Sequence, residues 1–448
     1  MRFIFAGLLA FGLGAGLSAP LMAKDDVSSF TLDNGLEVVV IEDHRAPVVV
    51  HMLWYRAGAA DEQPGVSGVA HFLEHLLFKE TENFEAGALS RVVAENGGSD
   101  NAFTSQDYTA YFQRVAADRL GLMMEMESDR VRNLILSEDD IATERDVILE
   151  ERAQRTDSEP GALFREQMNA AAFLNHPYGI PVIGWRHEME NLSREAASAF
   201  YERFYAPNNA ILVVAGDVAP DEVLELAKTH YGPLAPTPDL GERVRVQEPP
   251  QLAERRLRFA DPRVAQPYVL RRYQAPERDS GAQEKAAALV YLAEILGGNG
   301  ATSVLGRALQ FDEQIAVYAG AGYRSVSLDE TSFTLIVVPT PDVSLKDAED
   351  ALDREIAEFL ETGIDPAQFE RVKFQIRAGD IYSQDNVRAR AERYGEALTS
   401  GLTIKDVTDW PDVLQAVTPE DVMDAARELF DDRKAVTGWL VPEGGEEM

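Results

Sequence analysis

The chain has 448 residues, 45% of them hydrophobic and 26% charged, with no cysteine and a formal net charge of −34 at pH 7. That length fits two units of ordinary domain size, roughly 100–200 residues each, and the composition is that of a folded protein rather than a disordered or fibrous one. The acidic field repels phosphate backbones and argues against a nucleic-acid partner, and the missing cysteines exclude disulfides, thiol nucleophiles and thiolate ligands, so any metal must be held by histidine and carboxylate.

The N-terminus reads as a secretory signal. Arg2 is followed by an apolar and glycine run from Phe3 to Leu17, then by Ser18–Ala23 as a cleavage region and polar Lys24-Asp25-Asp26. Residues 1–23 are expected to be removed, leaving a periplasmic chain. An uncleaved anchor is the alternative, because Phe3–Ala23 is an uncharged stretch of 21 residues; its glycines and Pro20 suit a stable span poorly. No later segment approaches spanning length, so no stable membrane span is expected after cleavage.

Phe30–Leu32, Asp33-Asn34-Gly35 and Leu36–Ile41 read as a hairpin with an Asn-Gly turn, and Val48–Tyr55 as a further strand. After glycines 58, 65 and 68 the pattern turns helical from Val69 to Lys79, and again from Phe84 to Glu95, stopped by Asn96-Gly97-Gly98. Strand-like runs at Asn101–Thr104 and Thr109–Val115 precede helical stretches at Asp118–Asn133, Ser137–Gln154 and Leu163–Phe173. Ser193–Tyr205 reads as a helix feeding a buried strand, Ala210–Val214.

Between Gly232 and Pro250 the chain turns to proline, glycine and charge, which marks a linker. The expected boundaries are 24–235 for a first domain, 236–250 for the linker and 251–448 for a second domain. Thr418…Phe430…Val436…Leu440-Val441 echoes Ser193…Phe204…Ile211–Val214. The echo predicts an α+β protein of two similar units, each a hairpin-built sheet covered by long helices.

The chemistry concentrates in Val69-Ala70-His71-Phe72-Leu73-Glu74-His75-Leu76. At about 100° per residue, Glu74 falls near 300° and His75 near 40° from His71, so the three share an arc while Phe72, Leu73 and Leu76 point elsewhere. Two imidazoles one turn apart can hold one zinc ion, and the carboxylate between them can reach a water on it. This is H-x-x-E-H, the reverse of the commoner order. A helix surface with no metal would use the same residues. A catalytic zinc needs a third protein ligand. Glu144 and Glu151 lie seven apart, two turns along one predicted helix, and share a face, whereas Glu150 is turned away. A solvated acidic face is equally open to this segment on its own.

Together these segments resemble the M16 metallopeptidases, which include pitrilysin, insulin-degrading enzyme and mitochondrial processing peptidase. There H-x-x-E-H is followed by E-x6-E. The resemblance implies His71, His75 and Glu151 as ligands to one zinc ion per chain, Glu74 as the general base of a metalloendopeptidase and Glu144 as a supporting group. It also implies two homologous LuxS/MPP-like metallohydrolase units, each an antiparallel-rich sheet under long helices, in a secreted bacterial member acting on short or unfolded peptides. Gly97–Tyr111 is similar to the family's G-G-x-x-N-A-x-T-x-x-D-x-T-x-Y, which implies that Asn101, Ala102 and Phe103 bind the substrate backbone; a short polar edge strand can take an extended peptide in this way. His176-Pro177-Tyr178-Gly179 resembles a further, structural signature. Gly297-Gly298-Asn299-Gly300 reads first as a helix stop, and in the family as a loop near the substrate entrance. Relatives often carry an Arg and a Tyr seven apart in the second half. Between Ala378 and Tyr394 no Arg has a Tyr at that spacing. The resemblance therefore implies a homologous partner subunit, in a heterodimer or homodimer, with this chain bearing the zinc. A scaffold subunit would be expected to lack the metal residues, and a metal carrier has no use for Glu74.

Overall fold

A computed structural model describes residues 27–444; the expected signal peptide, residues 1–23, lies outside the described residues. Gly35 adopts φ 89°, a left-handed conformation that glycine tolerates best. The turn sends β1 (Val27–Thr31) back as β2 (Glu37–Glu42), with Thr31 opposite Glu37. The first half continues with β3 (Val48–Tyr55), α1 (Val69–Leu76), α2 (Ala88–Glu95), β4 (Ser99–Thr104) and β5 (Thr109–Ala116). Then come α3 (Leu120–Arg132), α4 (Glu138–Arg152), α5 (Pro160–Ala172), α6 (Arg186–Met189), α7 (Arg194–Phe204), β6 (Ala210–Gly216) and α8 (Pro220–His230).

The second half runs β7 (Arg255–Asp261), β8 (Tyr268–Ala275), α9 (Glu284–Ala293), β9 (Ala316–Tyr323) and β10 (Thr331–Pro339). Helices α10 (Leu345–Thr362), α11 (Pro366–Ser383), α12 (Val387–Thr399), α13 (Ile404–Ala416) and α14 (Pro419–Leu429) precede the last strand, β11 (Ala435–Pro442). Residues 242–252 between the halves carry no regular structure.

The sheets are ordered β1-β2-β6-β3-β5-β4 and β7-β11-β8-β10-β9. In each, one parallel pair (β2 with β6, β7 with β11) adjoins antiparallel neighbours. Setting β2 through β6 against β7 through β11 in chain order reproduces the same neighbours and senses, so the protein is two α+β units of one topology. The echo of α7–β6 in α14–β11 is part of this repeat. Ser193 and Thr418 cap the two helices, accepting from the amides of Ala196 and Asp421.

The centre of the first sheet is buried on both faces, which is why β6 is an unbroken apolar run, whereas β7 at the edge of the second sheet alternates half-buried and exposed residues. One face of the first sheet (Val38, Val40, Leu53, Tyr55) packs on Phe72, Leu73 and Leu76 of α1 and on Met123 of α3. Its other face (Met52, Trp54, Val213) packs on Ala391, Tyr394 and Leu398 of α12, from the second half. The second sheet repays this: Leu270, Val436 and Leu440 pack on Phe164, Met168 and Ala172 of α5, from the first half.

Three helix boundaries depart from the sequence expectation. Helix α1 ends at Leu76 rather than Lys79, because the amides of Phe78 and Lys79 bond three residues back and close tight turns. Helix α2 begins at Ala88 rather than Phe84: Thr81 bridges Leu134, and Gly87 turns left-handed at φ 70° immediately before the helix. Helix α5 begins earlier, at Pro160, a residue suited to the first helical position.

Candidate metal centre

Helix α1 is fixed from three sides. Phe72, Leu73 and Leu76 are fully buried, so the opposite arc, with His71, Glu74 and His75, faces away from this core. Its N-cap is Gly68, at φ 90°, which has no side chain to offer the free amides. Glu62 replaces that cap from outside the helix: Gly68 N and Ala70 N donate to its two carboxylate oxygens at 2.9 and 2.8 Å. Ser67 N donates to Glu188 at 2.7 Å. At the other end, the Arg130 guanidinium lies over Phe78 and donates to Leu77 O at 3.3 Å.

Helix α4 crosses this arc with Ile141 and Ile148 buried and Glu144 and Glu151 turned toward α1. Glu150 points to solvent, where Gln154 donates to it. Glu151 Oε2 lies 3.5 Å from His71 Nε2 and 3.4 Å from His75 Nε2. Tetrahedral ligands at about 2.1 Å from zinc stand about 3.4 Å apart, so each imidazole stands at that separation from Glu151, and all three ligand-type atoms lie within 4.8 Å of one another. Among the described residues they are the one group of three or more such side chains able to hold a metal. All seven histidines of the chain precede residue 231, so the second half has no imidazole to offer.

The surrounding groups suit that role. Burial, with His75 and Arg155 nearby, holds the His71 pKa down to about 3, so its ring is neutral. His71 Nδ1 is buried without a hydrogen-bond partner among the described residues. His75 Nδ1 is 3.3 Å from Glu144 Oε2, and Lys79 Nζ is 2.6 Å from Glu144 Oε1. Burial lowers the His75 pKa, but the Glu144 hydrogen bond and the charges of Glu74, Glu151 and Glu144 outweigh it and raise the pKa. The same hydrogen bond, then Lys79, holds Glu144 below its usual range despite burial. Burial raises the Glu74 carboxyl, partly offset by the Thr104 hydroxyl, which donates to Glu74 Oε2 at 2.6 Å. Arg155 pairs with the other oxygen of Glu151 at 2.5 Å.

A cavity of about 510 Å³ opens beside Glu74 and His75, bounded by Phe78, Lys79, Ala86, Gly87, Asn101 and Glu144. Of the three expected substrate residues, Asn101 lines it. The Ala102 side chain joins the core that holds α1, and Phe103 packs edge-on against Trp54. Strand β4, which carries all three, is the outer strand of its sheet and pairs only with β5 among the described strands. Sequence reasoning missed Glu62, Glu188, Lys79, Arg130 and Arg155, which bear no local signature. Thr104 lay within the quoted motif without a role.

Comparison with known proteins finds relatives over nearly the whole chain. Residues 37–185 match the family described as insulinase, peptidase family M16, and residues 191–376 match the peptidase M16 inactive domain. The chain is 30% identical over 450 residues to the zinc protease PqqE of Helicobacter pylori, covering 98% of this chain and 97% of that one. It is 31% identical over 431 residues to an uncharacterized zinc protease of Mycobacterium tuberculosis, covering 93% of each. A crystal structure of a protease from Helicobacter pylori superposes with a TM-score of 0.87 at 28% identity, over 93% of this chain and 99% of that one. The periplasmic protease PqqL of Escherichia coli shares the fold, with a TM-score of 0.79 at 20% identity over 93% of this chain and 48% of that one.

Proposed function

The chain belongs to peptidase family M16, and on that footing we propose that it is a zinc-dependent endopeptidase acting on short or unfolded peptides. The observation that carries the reading is the approach of His71 Nε2 and His75 Nε2 to Glu151 Oε2, at 3.5 and 3.4 Å, on the helix that also presents Glu74. His71, His75 and Glu151 would hold one zinc ion. Such an ion supplies Lewis acidity and brings the pKa of water at the site toward ~7.

The protein's own groups do the rest. Glu74, its affinity for a proton raised by burial, takes the proton from the attacking water and later passes it to the leaving amine. Thr104 fixes the Glu74 carboxylate. Glu144, held by Lys79, keeps the His75 proton on Nδ1 and so leaves Nε2 free to ligate. The open edge of β4 at Asn101, Ala102 and Phe103 takes the substrate backbone as an added strand. Elemental analysis should find one zinc per chain, and a chelator should stop hydrolysis of an unstructured peptide. Stoichiometric zinc with no cleavage of any peptide, with or without a homologous partner, would leave a metal carrier instead.

Two finer readings accompany this one. The chain is the zinc-bearing subunit of a two-chain chamber. Supporting it are the missing Arg–Tyr pair and the exposed Phe374, Ile381 and Tyr382 on α11, of which Phe374 is 72% and Tyr382 74% accessible. Full activity from a monomer would refute it. The chain is also exported to the periplasm, with cleavage after Ala23, a reading supported by the N-terminal pattern. N-terminal sequencing of the native protein tests it.

A further inference from the structure

The segment joining the two halves lies against the catalytic half with two arginines turned inward. Arg245 is almost wholly buried, its side chain 4% accessible. It donates to Asp61 Oδ2 at 2.9 Å, to Gln106 O at 3.4 Å and to Asp329 Oδ2 at 3.3 Å, pairs with Asp107, and lies over the Tyr178 ring. Arg243 donates to Asp61 at 2.5 and 2.9 Å, to Asp107 O at 2.6 Å and to Thr399 O at 3.2 Å. Asp61 and Asp107 belong to the first half, Asp329 and Thr399 to the second.

Both gripped segments lead directly to the metal centre. Asp61 is followed by Glu62, which caps α1 three residues before His71. Asp107 sits in the β4–β5 turn, just beyond Thr104, which holds Glu74. The two segments are also joined to each other, since Ala59 N and Ala60 N donate to Ser105 O and Gln106 O, each at 2.9 Å. A side chain at Gly58 would collide with that turn.

We propose that Arg245 is a positioning residue for the metal centre, clamping the Asp61–Glu62 cap of α1 and the Thr104-bearing turn into one unit and tying that unit to the second half through Asp329. A buried arginine suits this because its planar fork bonds several carboxylates at fixed angles, which a lysine ammonium cannot do. The clamp places the ligand helix and the Glu74 support relative to each other without touching metal or substrate. The second half, which has no histidine, thereby shapes the site in the first.

The test uses the full chain carrying Arg245→Lys, with Arg256→Lys as the control. Arg256 forks onto Glu349 wholly within the second half, from a half-exposed position. Arg245→Lys should weaken zinc binding, measured by chelator competition, by roughly tenfold or more. It should also speed amide exchange in metal-free protein across residues 58–76 and 104–108, and lower kcat/KM by a similar factor. Arg256→Lys should leave all three within roughly twofold of the parent. Glu62→Gln, one step nearer the metal, should lower zinc affinity while leaving the linker arginines untouched, and it decides the matter should Arg245→Lys fail to fold. Parental zinc affinity and exchange in Arg245→Lys, equal losses in Arg256→Lys, or parental zinc affinity in Glu62→Gln would each overturn the proposal. The kinetic arm rests on the peptidase reading; the zinc and exchange arms do not, so a parent that binds zinc but cleaves nothing fails that reading alone.

Discussion

Glu150 and Glu151 are neighbours in sequence with opposite surroundings: one meets Gln154 at the surface, the other lies within 3.5 Å of two imidazoles. Removing the second should cost the metal a ligand. Glu151→Ala is expected to lower zinc affinity by at least about 100-fold, and Glu150→Ala to leave it unchanged. Equal losses on titration with a competing chelator would mean that the wrong carboxylate has been assigned. Glu74 calls for a different readout, because it faces the cavity as a half-buried carboxylate bonded to Thr104 rather than as one of the three converging candidate ligands. Glu74→Gln keeps the shape and removes the base. It should retain stoichiometric zinc and lose hydrolysis by about 10²–10⁴-fold; turnover near that of the parent in zinc-replete protein would remove Glu74 from the mechanism. The H-x-x-E-H residues were legible because helix periodicity alone places them on one arc. Lys79, Arg155 and Glu188 were not, because nothing near them in sequence states which distant group they meet.

Elements were legible where periodicity met a stop signal. Helix α4, capped by Ser137, and strand β6, apolar throughout, fall close to their expected spans. Boundaries slipped where tertiary contacts decide, as at Gly87, where a left-handed turn delays α2 beyond its apolar pattern. The second half was foreseen as a repeat with one helix stop at Gly297, and its strands β7 to β10 were not located individually. The helix α12 that covers the first sheet offers a test in which two effects oppose. Gly395 lies inside this helix, where alanine is worth up to about 1 kcal/mol in propensity. A methyl group at Gly395 would, however, collide with the buried Trp54 indole. Overpacking of this kind costs about 1–3 kcal/mol, so packing should win and Gly395→Ala should lower the midpoint of denaturant unfolding. A raised midpoint would mean that α12 does not seat on the first sheet as described.

At the scale of the whole molecule, the exchange of α5 and α12 makes each half part of the other's core. Phe164 and Met168 of α5 fill the space that Gly438 leaves on β11, and Gly438→Ala would drive a methyl group into both. No sequence pattern announced this arrangement, since amphipathic helices do not declare which of two similar sheets they will cover. Its thermodynamic consequence can be measured. The three candidate ligand atoms lie on α1 and α4, both in the first half. Were the halves independent, zinc would stabilise one melting transition and leave a second untouched. Because each sheet is completed by the other half's helix, the halves should instead unfold together. A ligand that binds only the folded chain adds about 2.7 kcal/mol at a free concentration 100 times its Kd. Scanning calorimetry with and without zinc should therefore show one transition that shifts upward as a whole, and Gly438→Ala should shift that same transition downward. Two peaks, of which only one follows the metal, would mean that the swapped helices do not couple the halves.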